Sequence, residues 1–129
     1  MSARTVLVVE DDLLIRLMLV EALQDDGYAV VEAGNVLEAV AAIGRNPSFD
    51  ALVTDVDMPG YLTGLDLAAM VASVSARTQI IVVSGRDVSE SVEIGWAFMP
   101  KPYSLDQLLN LLDEANGVTP QAPEMAQAV

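Results

Sequence analysis

The sequence predicts an α/β fold: a doubly wound, five-stranded parallel sheet with helices on both faces. Three observations carry that prediction. Short apolar runs recur at Thr5–Val9, Ala29–Ala33, Ala51–Thr54, Gln79–Val83 and Trp96–Met99. A stretch with helical apolar spacing comes after each of the first three runs. Residues that carry chemistry stand just after four of the runs: Glu10-Asp11-Asp12, Asp55, Ser84 and Lys101. Strands alternating with helices build a parallel sheet, and such sheets bind ligands beyond the carboxyl ends of their strands.

Thr5–Val9 is β-branched and apolar, as a buried first strand requires. Leu13–Leu23 has apolar residues at 14, 15, 18, 19, 22 and 23, a helical period, and Gly27 is placed to end that helix. Ala29–Ala33 reads as the second strand. Asn35 suits the N-cap of a helix reaching Ile43, with a loop from Gly44 to Ser48 that holds Pro47. The third strand stops at Asp55, and Met58-Pro59-Gly60 turns the chain away. Leu65–Val74 is a helix with Leu65, Leu67, Ala68, Val71 and Ala72 inward. The fourth strand ends at Ser84-Gly85, and the fifth, Trp96–Met99, leads into Pro100-Lys101-Pro102. Ser104 and Gln107 have capping-box spacing before a helix whose stripe is Leu105, Leu108, Leu109 and Leu112, with Gly117 beyond its end. The domain is expected to occupy residues 1–117, and 118–129, with two prolines and low charge, reads as a flexible tail or linker stub.

Composition excludes several classes. The 129 residues suit one domain, and 53% hydrophobic residues fit a folded chain. A net charge of −13 repels a phosphate backbone, so no direct nucleic-acid binding is expected. Without Cys there is no disulfide or thiol chemistry. Without His the chain lacks the commonest general base, the usual zinc ligand and a histidine phosphodonor. No run is long enough for a signal peptide or a membrane span, so a cytoplasmic location and no membrane partner are expected.

If the strand ends share one edge, Asp11, Asp12 and Asp55 come together. Two unit charges 4 Å apart repel by about 4 kcal/mol at an effective dielectric near 20, so such a group calls for a proton or a cation. A small all-oxygen site suits Mg²⁺. Phosphoryl transfer needs in-line positioning and cancellation of charge, which a cation, the lone lysine Lys101 and the Ser84 hydroxyl supply. Asp55 is then the nucleophile that becomes an aspartyl phosphate.

These motifs together resemble the receiver domain of two-component response regulators, over about residues 4–115. The resemblance implies a flavodoxin-like sheet and a phosphoryl group delivered to Asp55 by a histidine kinase or a histidine phosphotransfer protein. It implies Mg²⁺ at Asp11 or Asp12 and Asp55, with the Asp57 carbonyl as a further ligand. Ser84 and Lys101 would hold the phosphoryl oxygens, and Ser84 with Phe98 would form a switch read by a protein partner. It also implies a cis Lys101–Pro102 bond, and a monomer or a weak phosphorylation-dependent dimer. Asp57 and Arg86 match positions that tune phosphate lifetime in that family.

Two departures stand out. Pro59–Gly64 is one residue longer than the usual loop, with Thr63 where an acid is common. Ser84 and Lys101 are 17 positions apart, so the helix between the fourth and fifth strands is expected to be shortened or irregular. Ser89 and Ser91, poor helix formers, fit a single turn or a loop there.

Other readings compete less well. Asp55-Val56-Asp57 has the D-x-D form of a haloacid dehalogenase-type phosphatase, but on the third strand rather than the first. A nucleotide-binding module would need a Gly-rich loop where the three acids stand. A phosphorylation-independent receiver would lack acceptor residues that are present here. Within the receiver reading, the chain is a single-domain regulator or phosphate sink, or a module of a larger hybrid kinase or regulator.

Overall fold

The computed structural model describes residues 3–46 and 48–115. Its elements run β1 (Thr5–Val9), α1 (Leu13–Asp25), β2 (Ala29–Ala33), α2 (Val36–Arg45), β3 (Ala51–Asp55), α3 (Gly64–Val74), β4 (Gln79–Ser84), β5 (Ala97–Pro100) and α4 (Leu105–Ala115). All four strand pairings are parallel, in the order β2-β1-β3-β4-β5.

Alternation along the strands divides the core in two. Leu7, Val9, Leu52, Ile80 and Val82 face α2 and α3, where Ala39, Leu67, Ala68 and Val71 meet them. Val6, Val8, Val53, Ile81 and Val83 face the other way, against Leu19 and Leu23 of α1 and Leu108 and Leu112 of α4. Successive strand residues point to opposite faces, so a strand buried on both sides has few polar positions to offer until it ends; Thr54 in β3 is one, its hydroxyl donating to the Asp55 carbonyl. That is why chemistry-bearing side chains appear at the strand ends.

The helix ends follow their capping residues. Asn35 caps α2 by accepting from the Glu38 N–H. Thr63 and Asp66 form a reciprocal capping box on α3, so the threonine at the lengthened loop has a local task. Ser104 and Gln107 exchange long hydrogen bonds of 3.4 Å at the start of α4. Gly27 follows α1 with φ +95°, a backbone that glycine adopts without penalty.

Boundaries differ from expectation at several ends: α1, β3 and β4 run on to Asp25, Asp55 and Ser84, and α3 starts at Gly64. α2 continues through Gly44 to Arg45, with the Asn46 N–H bonded to the Ala42 carbonyl. β5 begins at Ala97 rather than Trp96, because the Trp96 N–H is spent on the Glu93 carbonyl in a turn. It extends to Pro100, which an edge strand tolerates. Pro47, Gly117 and the tail expected over 118–129 lie outside the described residues.

The β4–β5 connection holds one 3₁₀ turn at Ser89–Ser91. Asp87 Oδ1 accepts from the Ser89 N–H at 2.9 Å, a local bond that competes with helix. Gly95 has φ +95°. The shortened segment is therefore a loop with one turn, and the domain has four α-helices among the described residues. None of them is long and apolar enough to cross a membrane.

Candidate functional site

Sheet register assembles the site. Val9 pairs with Thr54, so Glu10 and Asp55 leave their strands side by side. Asp55 pairs with Val83, which sets Ser84 one step beyond it. Ser84 pairs with Pro100, and the Lys101 N–H donates to the Ser84 carbonyl at 2.8 Å. Four strand ends thus converge around the central strand β3.

Lys101 Nζ lies 3.2 Å from Asp55 Oδ2 and 3.2 Å from Glu10 Oε1. Glu10 is 2% exposed and Asp55 6%. The second Glu10 oxygen, Oε2, accepts from the Asp12 N–H at 3.0 Å. Burial pushes both carboxyls above the usual carboxylate range, against the pull of Lys101. Burial alone would lower the Lys101 ammonium, but Asp55 and Glu10 overcome it and the lysine holds its proton more firmly than in water.

Carboxylate oxygens of Glu10, Asp11 and Asp55 lie within 4.8 Å of one another. Asp11 is exposed, so the group opens to solvent on one side. Three hard oxygen donors beside a single ammonium fit a divalent oxygen-loving cation. Asp12, expected in this group, caps α1 instead: its Oδ1 accepts from the Ile15 N–H at 3.1 Å. Glu10 takes the place beside Asp55 that the sequence reading left to Asp12. The register signal was available, since Glu10 directly follows a strand that must pair with β3.

Arg16 was not anticipated either. Its NH1 donates to the Glu10 carbonyl at 2.7 Å and its Nε to Glu32 at 3.0 Å, tying α1 to the ends of β1 and β2. Gly64 opens α3 directly against β3. A Cβ there would lie 1.8 Å from the Asp55 carbonyl oxygen, so only glycine fits.

Ser84 is buried, and its Oγ accepts from the Arg86 N–H at 3.1 Å. Phe98 is half-buried on β5, level with Val82, and lines a groove of about 410 Å³ with Gln107 and Leu111. Asp57 and Arg86 meet in a bidentate pair at 2.8 and 2.9 Å. The guanidinium holds the Asp57 carboxyl below its ordinary pKa. The Lys101–Pro102 bond is cis.

A family model for the response regulator receiver domain matches residues 6–113. The chain belongs to that family. A DNA-binding transcriptional regulator, NtrC, from Azospirillum brasilense is 35% identical over 99% of this chain and 27% of its own length. The response regulator MprA of Mycobacterium leprae (strain TN) is 38% identical over 81% of this chain and 47% of its own. This chain therefore spans less than half of those two regulators. The response regulator TrrA of Thermotoga maritima, solved in complex with Mg²⁺–BeF, superposes with a TM-score of 0.74. It is 26% identical, over 87% of this chain and 98% of that one. A receiver domain is a phosphoacceptor signalling domain rather than a conventional enzyme, and its five-stranded parallel sheet is the one found here.

Proposed function

We propose that this receiver domain accepts a phosphoryl group on Asp55 from a histidine kinase or a histidine phosphotransfer protein, and signals by a change of shape that a protein partner reads. The observation that supports this is the position of Asp55. It ends the central strand, between the acids of β1 and the Ser84–Lys101 pair of β4 and β5. Both Glu10 oxygens already have partners, Lys101 and the Asp12 N–H.

An Asp55 carboxylate oxygen attacks phosphorus, the P–N bond to the donor imidazole breaks, and its electron pair stays on the imidazole nitrogen. Lys101 follows the phosphoryl oxygens and shares their charge. The Ser84 hydroxyl, an acceptor towards Arg86, keeps its own hydrogen to donate to a phosphoryl oxygen. Glu10, Asp11 and Asp55 would hold Mg²⁺, with the Asp57 carbonyl as a further ligand. When bound, the cation neutralises charge on the transferring oxygens. TrrA in complex with Mg²⁺–BeF supports that choice of metal.

Movement of Ser84 toward the phosphoryl group leaves space that Phe98 fills, reshaping the face formed by β5 and α4. The Asp57–Arg86 pair stands across the entrance and hinders an attacking water. Such a protein works in the cytoplasm, where histidine kinases present their phosphohistidine.

Intact mass after incubation with acetyl phosphate tests the reading. One phosphoryl adduct is expected, dependent on Mg²⁺ and lost with EDTA or in Asp55→Asn. An adduct that persists in Asp55→Asn contradicts it. Arg86→Ala is expected to shorten the adduct's lifetime while leaving thermal stability unchanged, since the pair is more than half exposed. An unchanged decay rate would remove the pair from that role.

A further inference from the structure

A second cluster of ionisable groups lies at the other edge of the sheet, where β1 and β2 begin. Asp26 is the C-cap residue of α1, and Asp113 stands in the last turn of α4. Neither helix has a basic residue in its last turn. Both acids therefore sit at the negative end of a helix dipole, the wrong end for an anion. Asp113 is 5% exposed. The Tyr28 hydroxyl, from the turn before β2, donates to Asp113 Oδ1 at 2.5 Å. The Asp26 carboxyl is within hydrogen-bonding reach of Asp113, and its buried Oδ2 faces no protein donor.

The remaining charged groups do not neutralise the pair. Arg4, before β1, is the cation felt by Tyr28, but it donates to the carbonyls of Leu112 and Asp50 and forms no ion pair with either acid. Asp25 and Glu114, next in sequence to the two acids, are exposed and carry the same sign.

Two carboxyl groups this close cannot both ionise at low cost. One proton between them resolves the geometry. Asp113 then accepts from the Tyr28 hydroxyl on one side and from a protonated Asp26 on the other. We propose that Asp26 and Asp113 form a proton-binding site that latches the end of α1 to the end of α4. The site takes one proton from solvent and no other ligand. It acts on the α1–α4 layer, remote from Asp55, and stands whether or not Asp55 accepts phosphate.

The sign of the effect comes from linkage. Burial, then the Asp113 hydrogen bond, raise Asp26 from 3.8 to about 6. Between those values the folded protein keeps a proton that the unfolded chain has released. The latch's contribution is therefore complete below about 4 and lost as pH rises through about 6.

The direct test is the Asp26 side-chain carboxyl signal, followed by ¹³C NMR from pH 3 to 8 on the whole chain. A midpoint near 6 is expected, moving upward in Tyr28→Phe, which removes one donor to Asp113. A midpoint near the ordinary 3.8 would overturn the proposal. Thermal melts give a second reading. Asp26→Asn, which donates without titrating, is expected to raise Tm at pH 7.5 by about 3 °C and to flatten the decline between pH 4 and 6. A wild-type profile identical to that of Asp26→Asn would also overturn it.

Discussion

At the residue scale the two acids held by Lys101 do different work. Glu10 is fixed at both oxygens, while Asp55 stands at the centre of the group. Lys101→Met would leave both buried and unpaired, which costs about 2–4 kcal/mol at pH 8. Both carboxyls already sit above their unfolded values of 4.5 and 3.8. The stability they contribute when protonated is present below about 4 and is lost as pH rises through their folded values. Lys101→Met raises those folded values and extends the decline toward neutral pH. Denaturant unfolding at pH 5 and pH 8 should show a larger loss at pH 8, and equal losses would contradict this pairing. Gly64→Ala is a steric case. Its Cβ cannot share space with the Asp55 carbonyl, so α3 or the end of β3 must shift, at about 2 kcal/mol or more. Melting and acetyl phosphate labelling should both suffer, because the displaced atoms belong to the acceptor strand.

The residue scale is also where the sequence was hardest to read. Of three consecutive acids, Asp11 and Asp12 were expected at the site and Glu10 was passed over. Which one meets Asp55 depends on strand register, and which one caps α1 depends on where the helix starts. Arg16 and the Asp26–Asp113 pair carry no local signal at all. Arg16 meets Glu32, and Asp26 meets Asp113, only once the sheet has formed.

At the element scale the strands were legible because each is a short apolar run that ends where its chemistry begins. The helices were legible from their apolar spacing and from two caps, Asn35 and Ser104 with Gln107, whereas the Thr63–Asp66 box on α3 was not anticipated. The shift of β5 by one residue was not, since a single turn bond from Trp96 to Glu93 decided it. The spacing from Ser84 to Lys101 foretold the loss of helix between β4 and β5, and one 3₁₀ turn is what remains. That segment has one buried anchor, Val88, and leaves Ile94 fully exposed. Its amides over 87–95 should exchange with solvent far faster than those of β4 in the unphosphorylated protein. Hydrogen exchange that protects both equally would contradict a loosely held face.

At the scale of the whole molecule, nineteen acids against six bases make the chain self-repelling. Sodium chloride should raise Tm modestly by screening. MgCl₂ at matched ionic strength should raise it further, by occupying the Glu10–Asp11–Asp55 group. Asp11→Asn should abolish that excess and leave the screening effect intact. An excess that survives Asp11→Asn would place the cation elsewhere.

Everything proposed for the strand-end site depends on Asp55 being the residue that receives the phosphoryl group. Borohydride reduces an aspartyl phosphate to homoserine, so treating the labelled protein and sequencing its peptides by mass reads the acceptor directly. Homoserine at position 55, absent when Mg²⁺ is chelated, is the predicted result. Homoserine at Asp11, Asp12 or Asp57 instead would contradict the assignment of the acceptor.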